Sequence, residues 1–436
     1  MGSGDAPVHQ AAEATDTTPQ EEVMTSAWAS KGFRWLWTGS AISSFGSEVA
    51  ELALPLLALV TLSASSGELG MLRAAQFLPF LLATLPIGLL VDRSRRRRLM
   101  IGADLGRFVL IALIPLSVWF DLVSMGLLCG VIFGAGVLTV LYQMSDFTFL
   151  PSVTTVHQLS DANAKIAATQ SAMEIGGRGI GGVLVQSLTA PIAMAVDAVT
   201  YLLSAISLSR IKVDEQTPAR TSRSPFREVA SGFRVVLSNA YLRALLGGAM
   251  TFNVFQEVFT IGFMLYAVRD LSISPAGLGA ILVAGGAGSF VGAWFGSRLT
   301  ARWSYGKVLL AALALGNTAP LASALAAPAW AFELLMAVFF VMGIGIGISN
   351  AHAVTIRQVA APVELRGRVN AAYRLITWGG IPVGALSGGL LASQLGNRGA
   401  MVLGAAGLAT ATLWILFSPI RTLRSVGHAT PDHLTA

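Results

Sequence analysis

The 436-residue sequence is 54% hydrophobic and only 12% charged, and its mean hydropathy is +0.67. Soluble domains carry about 25% charged residues, so this composition excludes an ordinary soluble protein and indicates a chain that lies in lipid. The formal net charge is +6, although residues 1–30 hold five acidic and no basic side chains. The basic excess therefore lies among the apolar segments, which is typical of a membrane surface rather than of a nucleic-acid-binding face.

Residues 1–30 are rich in Ala, Thr, Gln and Glu and lack a hydrophobic period, which predicts a disordered cytoplasmic tail. Twelve apolar segments follow, and each reaches or approaches the roughly 20 residues with which a helix crosses a ~30 Å hydrocarbon core. They cover residues 35–62, 69–90, 99–120, 122–144, 164–189, 191–210, 241–268, 275–298, 305–326, 330–350, 368–394 and 398–419. The sequence therefore predicts an all-α membrane protein with twelve transmembrane helices.

The Lys and Arg residues predict the topology, because cytoplasmic loops carry an excess of both. If the amino terminus lies inside, 25 of the 29 basic residues fall in inner loops or at inner helix ends. The most basic of these loops, residues 93–98, contains five arginines. We therefore predict a multi-pass protein of the cell (plasma) membrane with both termini cytoplasmic. Arg73 is an exception near the outer end of segment 2, where its side chain is expected to snorkel.

A weak internal repeat divides the chain into two halves. The glycines at 177 and 181 in segment 5 recur 207 residues later in segment 11, as Gly384 and Gly388. We predict a six-helix bundle at 31–210, a cytoplasmic linker at 211–240, a second six-helix bundle at 241–420 and a cytoplasmic tail at 421–436. Two such halves, with the substrate site between them, are typical of one large class of secondary transporter.

The loop between segments 2 and 3 resembles the G-x-x-x-D-R-x-G-R-R signature of the major facilitator superfamily, through Gly88, Asp92, Arg93, Arg96 and Arg97. It departs from that signature at Arg95, where many members have glycine. Phe149-Leu-Pro151 and Arg366-Gly-Arg-Val369 resemble the drug:proton antiporter branch that includes macrolide efflux proteins and the enterobactin exporter. The resemblance implies two pseudo-symmetric six-helix bundles. It also implies that Gly88, Asp92, Arg93 and Arg96 form a cytoplasmic gate against the start of segment 11.

Segment 5 resembles the antiporter signature G-P-x-x-G-G through Gly177, Gly181 and Gly182, with Arg178 in place of the proline. The resemblance favours export. From the residues alone, glycines four apart on one helix face also predict a surface for close helix packing, so both interpretations stay open.

Charged residues inside the segments are the candidates for chemistry, since an ionised side chain at the bilayer centre costs about 2.5–3.5 kcal/mol. Glu48 and Glu51 lie three residues apart on one face of segment 1. Two carboxylates that close disfavour double ionisation, so one of them can hold a proton. Glu257 occupies the repeat position of Glu48 in segment 7. We predict that these three residues couple transport to protons; the alternative is that an arginine neutralises one of the pair as a structural contact.

Polar residues near these carboxyls predict a substrate cavity. Glu174 and Arg178 are four residues apart and predict an ion pair within the helix; alternatively, Arg178 faces the cavity and binds Glu48 or Glu51. Segment 7 adds amide and aromatic side chains, which suit a bulky amphipathic substrate or equally a packed core. The predicted cavity residues are Arg178, Glu174, Asn253, Gln256 and Phe255.

Other buried polar residues are expected to be structural. Asp104 and Arg107, three residues apart, are expected to form an ion pair that supports the basic loop, and Asp197 is expected to lie near the outer surface. A lone His352 does not make a metal site. The single cysteine, Cys129, excludes a disulfide framework.

The sequence lacks the P-loop, the G-x-S-x-G nucleophile elbow and the H-E-x-x-H motif. We therefore predict no enzyme activity, no cofactor and no metal, and energy from an ion gradient. The predicted function is proton-coupled antiport that exports a bulky amphipathic small molecule, such as a drug or secondary metabolite, by alternating access.

The alternatives are a siderophore exporter, an uptake symporter or facilitator, a non-transporting membrane receptor and a lipid flippase. Three central carboxylates against one arginine favour a neutral or cationic substrate. Protons, the substrate and the lipid bilayer are the expected partners, with no nucleic acid, and the chain is expected to be a monomer.

Overall fold

The computed structural model of the chain describes residues 2, 26–213, 215, 225–362 and 365–425. Within these residues the regular secondary structure is entirely helical, which confirms the predicted all-α class. Most of the two predicted tails and the middle of the predicted linker lie outside the described residues.

The described part of the chain contains fourteen α-helices. They are α1 (Lys31–Leu56), α2 (Ser66–Leu82), α3 (Thr84–Val91), α4 (Arg96–Trp119), α5 (Met125–Val153), α6 (Leu159–Leu188), α7 (Ala190–Ser209), α8 (Pro225–Ser238), α9 (Ala240–Leu265), α10 (Pro275–Arg302), α11 (Tyr305–Thr318), α12 (Ala331–Ala360), α13 (Arg366–Ala411) and α14 (Leu413–Leu416). Five of them begin after an N-cap side chain that accepts a hydrogen bond from a backbone N–H of the first turn, namely Ser30, Ser65, Ser124, Asn239 and Ser274. Such caps satisfy N–H groups that have no partner within the helix.

The described helices are consistent with the twelve membrane spans that the hydrophobic segments predict. Nine of the described helices are individually long and apolar enough, and α2 with α3 forms a tenth span that is bent by 49°. α13 has 46 residues, about 69 Å of helix and more than twice the hydrocarbon thickness. It breaks at Gly396, whose φ of +75° favours glycine, and so supplies two spans. α6 is long enough to be the twelfth span, although it carries charged residues.

The two halves share backbone features at equivalent positions. α1 and α9 each continue into a π-helical turn, at Leu57–Thr61 and Tyr266–Asp270, and these turns lie 209 residues apart. The loops that follow contain Ser63 and Ser272, both with a φ of 51°. We refer to α1–α7 as the first bundle and to α9–α14 as the second bundle.

The closest backbone approaches between the bundles lie toward one end of the molecule. We call the end with the arginine-rich loop 93–98 the basic end, and the end with the loops after α1 and α9 the distal end. In the distal half, α2 crosses α13 and α6 crosses α10. A Cβ at Gly70 would lie 2.6 Å from the Ala385 carbonyl oxygen, and one at Gly389 would lie 2.6 Å from the Ser66 carbonyl oxygen.

The second crossing has the same construction. A Cβ at Gly182 would lie 2.6 Å from the Pro275 carbonyl oxygen and 3.0 Å from Gly279 Cα. Gly70 and Gly279 are 209 residues apart, and Gly182 and Gly389 are 207 residues apart. The two crossings are therefore related by the internal repeat, and each depends on glycine because backbone atoms occupy the space of a side chain.

The last residues of the predicted amino-terminal tail pack against the first bundle. Ala27–Ala29 form a short helical turn, and the Ala27 N–H donates to Asp161 Oδ2 of α6 at 2.7 Å. The ring of Trp28 meets that of Trp37 edge to face, with centroids 4.8 Å apart. The described residues of the predicted tail thus include a turn that packs against the first bundle.

Candidate functional site

A group of charges joins the two bundles in the distal half. Arg73 of α2 donates from Nη2 and Nε to the two carboxylate oxygens of Glu257 of α9, at 3.0 and 3.2 Å. Arg73 Nη1 also lies 2.5 Å from Glu51 Oε1 of α1. Gln76, one turn along α2, donates to Glu51 Oε2 at 2.8 Å. We call Glu51, Arg73, Gln76 and Glu257 the interbundle cluster.

The interbundle cluster places one guanidinium between two carboxylates. Arg73 is 9% exposed and Glu257 is 7% exposed, so neither charge has bulk water as an alternative partner. The Arg73–Glu257 pair is bidentate, which is the strongest geometry for arginine and a carboxylate. Because Glu257 belongs to the second bundle and Arg73 to the first, any movement that separates the bundles here must break this pair.

The expectation that Arg73 snorkels to the membrane surface is wrong. Its place in the sequence gives its depth, seven residues from the start of α2, but not the face of the helix on which it lies. Glu51 and Glu257 lie five and eight residues before the ends of α1 and α9, which reach the same distal end. Arg73 of α2 thus lies at a similar depth to Glu51 of α1 and Glu257 of α9. This similarity in depth is the sequence signal that could have identified Arg73 as the partner of the two carboxylates.

A second charged group lies between α1 and α6. Arg178 Nε donates to Glu48 Oε2 at 2.9 Å, and Arg178 Nη2 lies 3.2 Å from Glu174 Oε1. The side chains of Glu48, Arg178 and Glu174 are 26, 27 and 52% exposed. These groups are therefore accessible, in contrast to the buried Arg73–Glu257 pair. Both contacts considered for Arg178, the ion pair within its helix and the ion pair with α1, are present together.

Each carboxylate of α1 has its own arginine in this conformation. Glu48 pairs with Arg178, and Glu51 pairs with Arg73. The two neighbouring carboxylates of the sequence pattern are thus held as two ion pairs by two different helices. An arginine therefore neutralises each of the two carboxylates in this conformation.

The predicted cavity residues of α9 have separate surroundings. Asn253 Nδ2 donates to the Thr377 carbonyl oxygen of α13 at 2.7 Å. Gln256 Nε2 donates to Thr260 Oγ1 at 3.2 Å, and its buried Oε1 has no hydrogen-bond partner among the described residues. The Phe255 ring fills the space beside Gly407, where a Cβ would lie 2.0 Å from its Cδ1. Phe255 therefore contributes to packing within the second bundle in this conformation.

The glycines of the antiporter-like segment provide close helix approach. A Cβ at Gly177 would lie 2.6 Å from Glu48 Cβ, and one at Gly181 would lie 3.0 Å from Val49 Cα, so both permit the contact of α6 with α1. Gly182 faces the other way and forms the crossing with α10. The segment thus places Arg178 beside Glu48 and also permits the close contact between the bundles in the distal half.

The residues of the predicted gate lie at the basic end. Asp92 and Arg93 are exposed at the end of α3, and neither forms an ion pair within the described part of the chain. Arg96 begins α4, and Gly88 allows Met144 to approach, since a Cβ there would lie 3.2 Å from Met144 Cε. The bundles are thus joined in the distal half, while the predicted gate residues make no ion pair across them with any residue that the structure describes.

Two structural expectations are met within the described residues. Asp104 and Arg107 form an ion pair, and His352 Nδ1 lies 2.8 Å from the Ile348 carbonyl oxygen of its own helix. No group of three acidic, histidine or cysteine side chains in the described residues is arranged to hold a metal ion.

Comparisons with known proteins agree with this architecture. The profile of the transmembrane secretion effector family, MFS_3, matches residues 25–436. Macrolide efflux protein A of Streptococcus pyogenes is 22% identical over 371 residues, which cover 84% of this chain and 90% of that protein. The multidrug efflux pump Tap of Mycolicibacterium fortuitum is 26% identical over 371 residues, which cover 80% of this chain and 87% of that protein.

A solved structure shares the fold at low sequence identity. An inward-facing, unoccupied bacterial homologue of the human lysosomal transporter Spinster has a TM-score of 0.70 and 12% identity, covering 93% of this chain and 98% of that chain. The family match extends over nearly the whole sequence, which confirms the resemblance carried by the loop after Gly88. The chain therefore belongs to the transmembrane secretion effector family of the major facilitator superfamily, and it is a multi-pass membrane transporter of small molecules rather than an enzyme.

Proposed function

We propose that this transporter exports bulky amphipathic small molecules across the cell membrane in exchange for protons. The observation that carries the proposal is the buried ion pair between Arg73 and Glu257, which joins the two bundles at their closed end. A proton and Arg73 compete for the same carboxylate. The Glu257 carboxylate lies where the bundles must separate. The competition between the proton and Arg73 therefore links protonation to the change of conformation.

The direction of the cycle follows from the positive-inside rule. With the basic end in the cytoplasm, the present conformation is inward-facing, because the distal glycine crossings are closed. Substrate that binds from the cytoplasm drives the distal end open and separates Glu257 from Arg73. Glu257 then takes a proton from the outside, which removes an unpaired negative charge from the bilayer.

The return step releases the proton. When the distal end closes again, Arg73 approaches Glu257, and the bidentate pair replaces the bound proton. Glu51 and Gln76 hold Arg73 on the first bundle throughout the cycle, so the guanidinium keeps a partner while Glu257 alternates. Glu51 is thus the constant partner of Arg73, and Glu257 is the residue that carries the proton.

The second charged group, which consists of Glu48, Glu174 and Arg178, is the proposed contact for the substrate. Glu48 and Glu174 provide two carboxylates beside one guanidinium, and they remain partly exposed while the Arg73–Glu257 pair is buried. This excess of negative charge suits a neutral or cationic amphiphile. The similarity to a macrolide efflux protein and to a multidrug efflux pump supports the same substrate class.

The experiment uses inside-out membrane vesicles that accumulate ethidium or erythromycin when their lumen is made acidic. Glu257→Gln keeps a hydrogen-bonding partner for Arg73 but cannot exchange a proton, and we expect it to lose at least about tenfold in pH-driven accumulation, a difference of ~1.4 kcal/mol in coupling. Glu333→Gln, at an exposed site at the start of α12, is the matched control and should behave as the wild type. Full pH-driven accumulation by Glu257→Gln would contradict the proposal.

A further inference from the structure

A third group of charged side chains lies inside the first bundle, away from the contact with the second. Asp104 and Arg107 of α4 form an ion pair, and Asp197 of α7 lies near them. These three residues are 0, 4 and 2% exposed. The guanidinium carbon of Arg107 lies 4.5 Å from the ring centre of Tyr142 of α5 and 4.3 Å from that of Tyr201 of α7.

The charges of this group do not balance. Asp146 of α5 lies within Coulombic range of Asp104, so α4, α5 and α7 supply three carboxyl groups and one guanidinium. α1 adds only uncharged groups, among them Ser47, whose Oγ lies 2.9 Å from Tyr201 OH. Two of these carboxyls, Asp104 and Asp197, are fully buried with the single guanidinium of Arg107. With both ionised, the bundle interior would hold one negative charge without a partner, which is costly in a low dielectric.

The same group contains most of the buried polar atoms that lack partners. Among the described residues, eight buried side-chain polar atoms have no hydrogen-bond partner, and six of them belong here. They are Asp104 Oδ2, Arg107 Nε, Tyr142 OH, Ser145 Oγ, Asp197 Oδ1 and Ser204 Oγ. Such atoms are normally satisfied by protein or by ordered water, and a mixture of donors and acceptors is the lining that a buried water needs.

The missing positive charge is better supplied by a proton than by a metal ion. No three acidic, histidine or cysteine side chains in the part of the chain described are arranged around a metal position. Arg107 also lies among the carboxyls, where it repels a metal cation.

Asp197 is the fully buried carboxyl of this group that has no arginine at ion-pair distance, whereas Asp146 is half-buried. Asp104 is already paired with Arg107, whereas Asp197 forms no ion pair with the described residues. α1 approaches Asp197 closely because it carries glycine at position 46. A Cβ at Gly46 would lie 2.7 Å from Asp197 Oδ1 and 2.1 Å from Thr200 Oγ1.

We propose that Asp197 binds a proton in a hydrated site inside the first bundle, formed with Asp104, Arg107 and the hydroxyl groups around them. This inference rests on the proposed function, proton-coupled export, because it adds a second proton-binding residue to Glu257. α1 links the two regions: it presents Gly46 to Asp197 and, two residues later, Glu48 to Arg178. The proton enters from water and returns to water, with no other reactant.

Infrared difference spectroscopy of the purified full chain between acidic and alkaline pH tests this site. A protonated carboxyl group gives a carbonyl band that shifts in heavy water. Every carboxyl group that takes up a proton, Glu257 included, adds to this band, so we expect Asp197→Asn to lose one component of the wild-type band. Asp121→Asn, a change at an exposed loop residue whose φ of 54° asparagine also accepts, is the matched control and should keep the band. An unchanged band in Asp197→Asn overturns the proposal.

A second variant covers the case in which Asp197→Asn does not fold. Gly46→Ala keeps every titratable group but places a methyl group against Asp197 Oδ1, so the carbonyl band should shift in frequency; an unmoved band overturns the proposal. Failure of this site and failure of the proposed function are distinguishable. A wild type with pH-driven transport but no Asp197 band refutes only the site, whereas a wild type with the band but no pH-driven transport refutes the antiport mechanism.

Discussion

The glycine crossings at the distal end allow the conformational equilibrium to be shifted by one methyl group. In Gly70→Ala, the new Cβ would lie 2.6 Å from the Ala385 carbonyl oxygen, well inside an ordinary contact of ~3.5 Å. Overpacking of this kind costs about 1–3 kcal/mol. The penalty applies only while α2 crosses α13, so we expect the population with an open distal end to rise by roughly 5–150-fold.

The chain provides a matched control on the same helix. A Cβ at Gly67, one turn earlier on α2, would have no atom within 4 Å, so Gly67→Ala makes the same chemical change without the collision. Gly279→Ala, at the position related to Gly70 by the repeat, would place its Cβ 2.9 Å from the Arg178 carbonyl oxygen and should act like Gly70→Ala.

The assay is a distance measurement between spin labels on the two bundles. Cysteines at Leu122 and Leu325, both exposed near the distal end, carry the labels after Cys129 is replaced by serine. We expect the long-distance population to grow in Gly70→Ala and to remain at the wild-type level in Gly67→Ala. Equal distance distributions in the two variants would refute the reasoning that the glycine crossings hold the distal end closed.

Two further predictions concern individual contacts. Asp92→Asn should retain substrate binding but lose transport, because the predicted gate residue is exposed here and is required only when the basic end closes. Substrate binding and substrate flux measured on one preparation check this prediction. An unchanged flux would mean that the loop only sets the membrane topology. Asp161→Asn removes the charged acceptor of the Ala27 N–H and should weaken the docking of the amino-terminal turn by about 1 kcal/mol. Limited proteolysis near Trp28 should then be faster, and an unaltered rate would contradict this role.

The sequence predicts the membrane-spanning segments well because the bilayer requires long apolar helices. It also predicts the internal repeat, which the structure extends to the π-helical turns at Leu57–Thr61 and Tyr266–Asp270. The prediction of helix packing is least complete for α6. Hydropathy alone does not reveal which face of this partly polar helix contacts α1 and which face contacts α10.

The candidate site was only partly predictable, because pairing depends on how helices rotate about their axes. The sequence identifies Glu48, Glu51 and Glu257 as charges within membrane segments, but the position of Arg73 near one end of a segment predicts the lipid boundary. Hydrophobic periodicity is weak in a helix that is apolar on most sides, so it does not place Arg73 on an interior face. Phe255 illustrates the same problem, since its ring packs beside Gly407 within the second bundle.

The most direct test of proton-coupled export is a simultaneous measurement of proton and substrate movement. Proteoliposomes contain a pH-sensitive dye and the reconstituted transporter, and an outward gradient of erythromycin or ethidium is applied with no initial pH gradient. We predict that substrate efflux drives protons inward and acidifies the lumen, and that Glu257→Gln abolishes this acidification. Substrate efflux by the wild type without any change in luminal pH, or with alkalinisation, would contradict the proposed antiport.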